Sequence, residues 1–547
     1  MTGWSSERAL NDRAAPWALR LGIGVELPLL LALALCLRLV WLGADVHIDE
    51  LYHLLAARGW LAEGVPRIGD GLYPRALLFT AVVAGALEAF GDTLTAARLP
   101  SVLAGVLLVG ALFLWVRRAA GAPAAWLAAL LLALSPISVE LSQLARFYAL
   151  HALAFWIGAL AVWQAVEPGT GARARLALSG LALLALALAL HLQVVTAIGL
   201  AGLGLWLAGR ALIAAWPWLR ARPRAGAAIA LALAATAALA LAIAKSIGLL
   251  DQALHTYRWV PLWAEVFQNK VLFYHGQLLE RYPFLWPFTP LLALAAIGRH
   301  PRAGTFCATV FGTAFVLASF AGMKDERYLA YALPFLFALW AIGIAMIFRP
   351  LAALAQEVVG RAAALVPSLP RRATGAGLLA LCLLFLFAAS GAPARLILEM
   401  SSYRLQDGPG RITYDWKRAS TILEPWLSRA DLLVTSDELA ALAWLGRADV
   451  LVSTTRLSEL DGVEGARDPR TGVAVISTGA SIEALAACHR NGLAVLSRRD
   501  LAFDWAVSAE ALAAIERLAT PLATPELPEL RVLWWQGGGG TCPAGPR

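Results

Sequence analysis

Long, nearly uninterrupted runs of apolar residues alternate with short polar segments over most of the chain. A run of about 17 to 25 apolar residues is long enough for a helix to cross the hydrocarbon core of a bilayer. The pattern therefore predicts a polytopic α-helical membrane protein with about 11 transmembrane helices. The runs lie at residues 22–43, 97–116, 123–141, 145–166, 175–190, 192–209, 226–246, 284–298, 304–321, 328–348 and 374–393.

Positive charges between these runs predict the orientation. With residues 1–21 in the cytoplasm, every dense arginine cluster falls in an inner loop, where lysine and arginine are favoured. The apolar stretch 73–90 must then stay out of the bilayer core, because a further span there would move every later cluster to the outside. We therefore predict a first external loop at 44–96, in which 50–62 and 73–90 form helices along the outer membrane face.

After residue 393 the long apolar runs end. Five short apolar segments predict buried strands, and two amphipathic segments predict helices between them. These segments lie at 431–436, 448–453, 473–478, 492–497 and 530–535, and at 437–445 and 481–489. The alternation favours an α/β domain with a largely parallel sheet over 394–547, extracytoplasmic after an odd number of spans. The glycines at 537–540 are assigned to a flexible tail, because a phosphate-binding loop must lead into a helix.

Composition agrees with a multi-pass protein of the inner (cytoplasmic) membrane. Hydrophobic residues make up 60% of the 547 residues, charged residues only 15%, and the mean hydropathy is +0.67. The formal net charge of +8 comes mostly from short loops between apolar runs, so we attribute it to topology and predict no nucleic-acid partner. The first apolar run is much longer than a signal-peptide core, which predicts a retained signal anchor.

The five cysteines show no metal-ligand spacing. Cys36, Cys307 and Cys382 lie within apolar runs, where we expect lipid-buried thiols. Cys488 and Cys542 lie in the C-terminal domain and can pair if that domain is in an oxidising compartment, so a bridge between them stays open.

A cluster of ionisable residues directly follows the first apolar run. It consists of Asp45, His47, Asp49, Glu50 and His53. Helix capping is one interpretation, since acids are favoured near helix N-termini. A catalytic site is another, with Asp49 and Glu50 as a general base and its modulator. A third is a divalent metal near His47, Asp49 and His53, although the spacing matches no strict zinc signature.

Polar segments elsewhere on the predicted outer face supply cations. Arg146, followed by Tyr148, either extends to the interface or binds an anionic group through its planar donors. Lys324 and Arg327, next to Tyr328, either neutralise the two acids between them or bind a leaving phosphate. The external loop 247–283 adds basic and aromatic residues, a composition that suits sugar and lipid-phosphate binding.

The order of these motifs resembles the GT-C glycosyltransferases, in particular the protein-mannosyltransferase and aminoarabinose-transferase branch. The matching features are the acidic pair after the first span, Ala97-Arg-Leu-Pro-Ser101, Ser142-Gln-x-x-Arg146-x-Tyr148, and Arg327-Tyr328 with Pro334. The resemblance spans residues 20–350. Two departures concern substrate details: Leu72-Tyr-Pro74-Arg75 replaces a His or Lys before Pro-Pro, and Leu144 replaces a Glu.

The resemblance implies a GT-C-like catalytic domain over 22–393 that transfers a sugar, with inversion, from a polyprenyl-phosphate donor at the outer membrane face. It maps the catalytic acids onto Asp49, as base, and Glu50. The acceptor is a hydroxyl of a lipid, a glycan or a protein, and the sugar stays open. Phosphate is a good leaving group, so the reaction needs a base and positive charge but no general acid, and we expect no required cofactor.

The remaining candidate residues are assigned to the two substrates. Donor phosphate contacts are predicted for Arg75, Arg146, Lys270, Lys324 and Arg327, and other substrate contacts for His47, His53, Tyr148, His255 and Tyr328. A transporter or flippase of lipid-linked sugars is an alternative, but transporters place ionisable residues near mid-membrane and these runs are nearly free of acids. A membrane sensor that recognises ligands through the C-terminal domain is a third class.

Overall fold

The apolar runs fold into a helical bundle and the C-terminal segments into a sheet in the computed structural model. It describes residues 25–40, 42–43, 46–262, 270–365 and 415–537, together with single positions between 381 and 397. The predictions that fall outside the described residues concern the segment 1–21, most of the span 374–393, Asp45, Cys382, Cys542 and the tail after Gly537.

Fifteen helices are described in the membrane part, numbered in chain order. They are α1 (Glu26–Leu39), α2 (Ile48–Glu63), α3 (Leu77–Phe90), α4 (Leu94–Ala120), α5 (Ala122–Ala133), α6 (Pro136–Ser142), α7 (Tyr148–Ala165), α8 (Ala172–Leu192), α9 (Thr196–Ala221), α10 (Pro223–Ser246), α11 (Leu249–Arg258), α12 (Phe273–Arg281), α13 (Thr289–Arg299), α14 (Pro301–Phe320) and α15 (Leu333–Leu365). A two-stranded hairpin, β1 (Arg67–Ile68) and β2 (Gly71–Leu72), lies between α2 and α3.

The prediction of a polytopic helical membrane protein is confirmed. Among the described residues, 7 helices are long and apolar enough to cross a membrane, or up to 8 if α5 and α6, bent by 59°, form one broken span. The predicted span 284–298 is instead a helix of 11 residues, or about 17 Å at 1.5 Å per residue, which is shorter than the hydrocarbon core. The number of eleven spans stays a prediction.

The first external loop contains the two helices expected there. Helix α3 has 14 residues, so it extends about 21 Å and is too short to cross a core of about 30 Å. Helix α2 ends at Glu63 and is capped by Gly64, whose positive φ of 76° is readily adopted by a residue without Cβ. The lengths of α2 and α3 fit helices lying at the interface, and the orientation of the bundle in the membrane stays a prediction.

The predicted C-terminal sheet is confirmed. Its strands are β3 (Leu432–Thr435), β4 (Val450–Val452), β5 (Ala474–Ile476), β6 (Asn491–Ser497), β7 (Thr520–Pro521) and β8 (Leu530–Gln536), in the order β5-β4-β3-β6-β8-β7. The first four strands are parallel, and β8 and β7 add antiparallel edge strands. The helices are α16 (Asp415–Leu427), α17 (Glu438–Ala440), α18 (Thr454–Glu459), α19 (Gly479–Cys488) and α20 (Ala509–Leu518).

The C-terminal domain packs against the hairpin of the first external loop. The backbone N–H of Leu72 donates to the carbonyl of Pro469 at 3.0 Å, and that of Asp70 donates to the carbonyl of Thr471 at 3.2 Å. The domain and the first external loop therefore lie on the same side of the bundle. The domain boundary at 394 and the extracytoplasmic location stay predictions.

The cysteines within the described residues fall into two groups. Cys36 and Cys307 are free thiols, and only Cys307 is buried inside the protein. Cys488 is disulfide-bonded, whereas Cys542, the partner considered from the sequence, lies outside the described residues.

Candidate active site

The N-terminus of α2 holds the acidic pair and uses its neighbours as caps. The Nδ1 atom of His47 accepts the backbone N–H of Asp49 at 3.1 Å, and the backbone N–H of His47 donates to Oε1 of Glu50 at 3.0 Å. Such reciprocal capping satisfies N–H groups that have no partner within the helix. The capping interpretation therefore applies to His47 and Glu50, while the carboxylate of Asp49 contacts other groups.

Glu50 is completely buried in a network of hydrogen-bond donors. Arg98 donates from Nε at 2.8 Å and from Nη2 at 2.7 Å, and the backbone N–H of Ala145 donates at 2.7 Å. Burial by itself would raise the pKa of Glu50, but the charge and hydrogen bonds of Arg98 outweigh it and lower that pKa. Glu50 thereby joins α2, α4 and the segment before α7. Its role as a modulator of the base stays a prediction.

Asp49 lies between two arginines from distant parts of the chain. Its Oδ2 is 2.5 Å from Nη1 of Arg327 and 3.8 Å from Nη2 of Arg146, and its side chain is 24% exposed. Burial by itself would raise the pKa of Asp49, but the charges of Arg146 and Arg327 hold it well below its ordinary value. The structure thus brings together one candidate base and two candidate phosphate ligands, with the carboxylate still accessible.

Aromatic rings and backbone oxygens hold the two guanidinium groups in place. Arg146 is almost completely buried, and its Nη1 donates to the carbonyl of Asp49 at 3.0 Å and to the hydroxyl of Tyr73 at 3.3 Å. The ring of Tyr148 lies 5.6 Å from the guanidinium carbon of Arg146 and 5.7 Å from that of Arg327. Tyr328 also faces Arg327, at 5.5 Å. Both predicted tyrosines therefore line the site beside its cations.

Other residues predicted for the site lie around it or away from it. Arg75 reaches Gln193 at 3.5 Å, and its guanidinium carbon is 5.7 Å from the ring of Phe147, next to Arg146. Lys324 donates to the carbonyl of Ala321 at 2.6 Å. His255 is exposed on α11 and, within the described part of the chain, forms no hydrogen bond with Asp49, Arg146 or Arg327, whereas Lys270 is exposed beside the undescribed segment 263–269.

His53 faces the protein core. Its Nδ1 is 2.9 Å from the hydroxyl of Thr80, its Nε2 has no hydrogen-bond partner among the described residues, and its ring contacts Tyr73, Phe79 and Phe147 edge-on. Burial lowers the pKa of His53 well below its ordinary value, and the nearby positive charge of Arg146 adds to the effect. The imidazole is therefore neutral, and any contact with substrate stays a prediction.

The residues proposed for a metal do not converge. Among the described residues, no group of three or more His, Cys, Asp or Glu side chains is placed to hold a metal ion. His47 uses its Nδ1 for capping, and His53 directs its Nδ1 to Thr80. These three predicted ligands therefore do not fit a metal site in this arrangement, and whether the reaction needs a metal stays a prediction.

Arg38, which sequence reasoning missed, fixes the segment that carries Arg146. It is completely buried in α1 and donates to the hydroxyls of Ser142 and Ser138 at 3.2 and 3.0 Å, and to the carbonyl of Ala133 at 3.5 Å. The bend between α5 and α6 leaves carbonyls such as that of Ala133 without helical partners, and these must be satisfied inside a membrane. An arginine within an apolar run was the available signal.

Arg98 and Tyr73 were missed for a different reason. Arg98 lies in the Ala97–Ser101 motif but received no role, because its partner Glu50 is 48 positions away. Tyr73 lies in an apolar segment, where an aromatic residue gives no sign of a polar contact.

Comparisons with known proteins concern the fold. The sequence matches no protein-family model, and no similar sequence is found among curated proteins. ArnT from Cupriavidus metallidurans bound to undecaprenyl phosphate superposes with a TM-score of 0.60 at 16% identity, covering 96% of this chain and 100% of ArnT. The apo oligosaccharyltransferase of Archaeoglobus fulgidus gives a TM-score of 0.61 at 14% identity, covering 92% of this chain and 73% of that enzyme.

The chain has the GT-C glycosyltransferase fold. The fold expected from the motifs around Asp49, Arg146 and Arg327 is thus confirmed, and the likeness to ArnT extends over nearly the whole of both chains. At these identities the likeness concerns the arrangement of the chain, and the chemistry has to be argued from the site itself.

Proposed function

We propose that the protein is an inverting glycosyltransferase that moves a sugar from a polyprenyl-phosphate donor to a hydroxyl group of a lipid, glycan or protein acceptor. The observation that carries this proposal is the accessible carboxylate of Asp49, held between Arg146 and Arg327 in the first turn of α2. A carboxylate base and fixed cations are the two requirements for displacing a phosphate at an anomeric carbon.

In the proposed reaction, Asp49 accepts a proton and the two arginines bind the leaving phosphate. The acceptor oxygen forms a bond to the anomeric carbon and gives its proton to Asp49, while the bond to the phosphate oxygen breaks on the opposite face. The polyprenyl phosphate leaves with the bonding electrons, and Arg146 and Arg327 stabilise its negative charge. These guanidinium groups act strongly here because their side chains are only 3% and 16% exposed, so little water screens them.

The ion pairs of Asp49 make it a weak base before the donor binds. A carboxylate whose pKa is well below its ordinary value has little tendency to accept a proton. A donor phosphate attracts the same two guanidinium groups, and this partly neutralises their charge near Asp49. The pKa of Asp49 then rises, which makes Asp49 a stronger base in the presence of the donor.

The solved structures with this fold give independent support for the substrate class. The matched ArnT structure contains undecaprenyl phosphate. The Archaeoglobus fulgidus oligosaccharyltransferase AglB, with a TM-score of 0.56 at 13% identity and 94% of this chain covered, is in complex with dolichol-phosphate and an inhibitory peptide. Polyprenyl-type lipid phosphates therefore occur in two enzymes with this fold, and one of them holds a peptide.

We infer the location from charge distribution and from packing. The positive-inside pattern favours a cytoplasmic N-terminus in the inner (cytoplasmic) membrane. The C-terminal domain packs on the hairpin of the first external loop, so it shares the side on which Asp49 lies. Transfer then occurs at the outer face of the membrane, on the extracytoplasmic side.

The test is the transfer activity of Asp49→Asn in proteoliposomes that contain a labelled polyprenyl-phosphate sugar and candidate acceptors. We expect transfer to fall by about 10² to 10⁴, because a general base contributes that much. The matched control is Asp92→Asn, an acid of the same loop with a side chain that is 58% exposed and paired with Arg58. Transfer by Asp49→Asn at the rate of this control would remove Asp49 as the base.

The same proteoliposomes test the alternative of a transporter or flippase. Such a protein moves the labelled lipid between leaflets and leaves the sugar attached to it. Lipid translocation without sugar transfer by the wild-type protein would therefore contradict the proposed reaction.

A further inference from the structure

The C-terminal domain contacts the first external loop through an arginine whose side chain is only 16% exposed. Arg456 on α18 donates from Nη2 to the hydroxyl of Tyr52 on α2 at 2.9 Å. Its Nε is 3.0 Å from the buried carboxylate of Asp468, and its Nη1 pairs with Glu459. These acids hold Arg456 within its own domain, so its orientation relative to Tyr52 depends on how that domain sits on the loop.

Tyr52 continues the contact towards the active site. Its ring stacks on that of Tyr73 with centroids 4.9 Å apart and an interplanar angle of 16°, and both rings are buried. The hydroxyl of Tyr73 accepts a hydrogen bond from Arg146, which also donates to the carbonyl of Asp49. An unbroken series of direct contacts thus runs from Arg456 to the candidate phosphate ligand.

The orientation of Arg146 depends on few polar contacts. Its Nε has no hydrogen bond among the described residues, its Nη1 donates to the carbonyl of Asp49 and to the hydroxyl of Tyr73, and its Nη2 lies 3.8 Å from Oδ2 of Asp49. A long side chain has many rotamers, so a phosphate ligand must be fixed in advance to act in a transition state. Tyr73 is an uncharged side-chain partner that can do this, in addition to Tyr148, whose ring also faces the guanidinium group.

The domain is also seated too closely on the hairpin to shift freely. A Cβ atom on Gly71 would lie 2.4 Å from the carbonyl carbon of Arg470, and one on Gly472 would lie 2.5 Å from Cβ of Asp70. Real Cβ atoms do not approach other atoms so closely, so glycine is needed on both sides. Together with the two backbone hydrogen bonds to the hairpin, this packing fixes Arg456 against Tyr52.

We propose that Arg456, Tyr52 and Tyr73 are positioning residues through which the C-terminal domain orients Arg146 against the donor phosphate. The proposal rests on the proposed function, because it assigns the phosphate contact to Arg146. It gives the C-terminal domain a defined task in catalysis: the domain completes the site from outside the bundle while none of its residues has to touch the reacting atoms.

Two tyrosine substitutions test the relay with little change in packing. Tyr52→Phe removes the hydroxyl bound by Arg456, and Tyr73→Phe removes the hydroxyl bound by Arg146. We expect each to lower kcat/KM for the donor by about tenfold, since each loses a hydrogen bond to a charged group. The double variant should be about as slow as the slower single variant, because both changes interrupt the same relay.

The thermal midpoints and the kcat/KM values of these variants decide between the relay and its alternatives. A thermal midpoint equal to that of the wild type in the single variants excludes a merely structural loss. A kcat/KM of Tyr52→Phe within about twofold of the wild type would overturn the proposal. So would a double variant whose loss equals the product of the two single losses, since independent sites behave in that way.

A second measurement does not depend on activity. Hydrogen exchange of the backbone amides at 145–148 should be faster in Tyr52→Phe and in Arg456→Gln than in the wild type. Arg517→Gln, which removes an exposed arginine paired with Glu483 in the same domain, serves as the control and should leave exchange unchanged. Exchange at 145–148 that is the same in Tyr52→Phe as in the wild type would overturn the relay. If exchange is faster in Tyr52→Phe and Arg456→Gln as expected, but the wild-type protein transfers no sugar, only the proposed function is overturned.

Discussion

Replacement of Glu50 by glutamine separates the roles of the two adjacent acids. Among the described residues, the Glu50 carboxylate has four partners and all are donors: two nitrogens of Arg98 and the backbone N–H groups of Ala145 and His47. Glutamine has one accepting oxygen, and its amide nitrogen is itself a donor. Glu50→Gln therefore leaves at least one donor of this buried site facing another donor and leaves Arg98 without its counter-ion.

The magnitude follows from burial. Both side chains of the Glu50–Arg98 pair are 0% exposed, so water cannot replace the lost partner. Removing one member of such a buried pair costs about 3 to 5 kcal/mol of the free energy of unfolding. The matched control is Glu63→Gln on the same helix, which breaks the pair of Glu63 with Arg67 at side chains that are 51% and 40% exposed. That change should cost about 0 to 1 kcal/mol.

The assay combines unfolding in detergent, followed by near-ultraviolet circular dichroism, with sugar transfer by the folded fraction. We expect Glu50→Gln to unfold at a lower temperature than Glu63→Gln. Asp49→Asn, whose carboxylate is 24% exposed, should lower the thermal midpoint less than Glu50→Gln does while losing transfer. A Glu50→Gln protein as stable as the wild type but inactive would refute the structural role and favour a catalytic one.

The same pair predicts a dependence of stability on pH. The pKa of Glu50 is lowered in the folded protein below the ordinary value of about 4.3, despite the opposing effect of burial. The contribution of the ionised pair is therefore fully present above about pH 4.3 and is lost as the pH falls through the lowered pKa. The difference in stability between wild type and Glu50→Gln should shrink in acid, and a constant difference would contradict the assignment.

Two further substitutions test the geometry of the site. Arg327→Gln removes the cation nearest to Asp49, so the pKa of Asp49 should rise and the donor should bind more weakly. The acidic limb of the pH profile of kcat/KM should then move to higher pH. An unchanged acidic limb would argue against Asp49 as the base. Gly105→Ala would place a Cβ 2.2 Å from Oγ of Ser142 and 2.7 Å from Nε of Arg38. The folded yield and the thermal midpoint should therefore fall. Gly204→Ala, which has open space around the added Cβ, is the control and should lower neither.

Three features of this protein follow from its sequence alone. Apolar runs must become helices in a membrane, because a backbone without internal hydrogen bonds is not tolerated in lipid. The short apolar segments after residue 393 likewise specify strands, since their residues have to be covered on both faces of a sheet. The position of Asp49 directly after a span also marks it as accessible to water and substrate. These conclusions depend only on local composition and spacing.

The tertiary structure decided which partners the two neighbouring acids have. Asp49 and Glu50 are neighbours in sequence, but successive residues of a helix point about 100° apart, so one carboxylate faces a buried arginine and the other faces the site. The partner of Asp49 is 278 positions away, and Tyr52 and Arg456 are 404 positions apart. Hydrophobic patterns carry no information about such pairings, because these are fixed only when the helices and the C-terminal domain pack together.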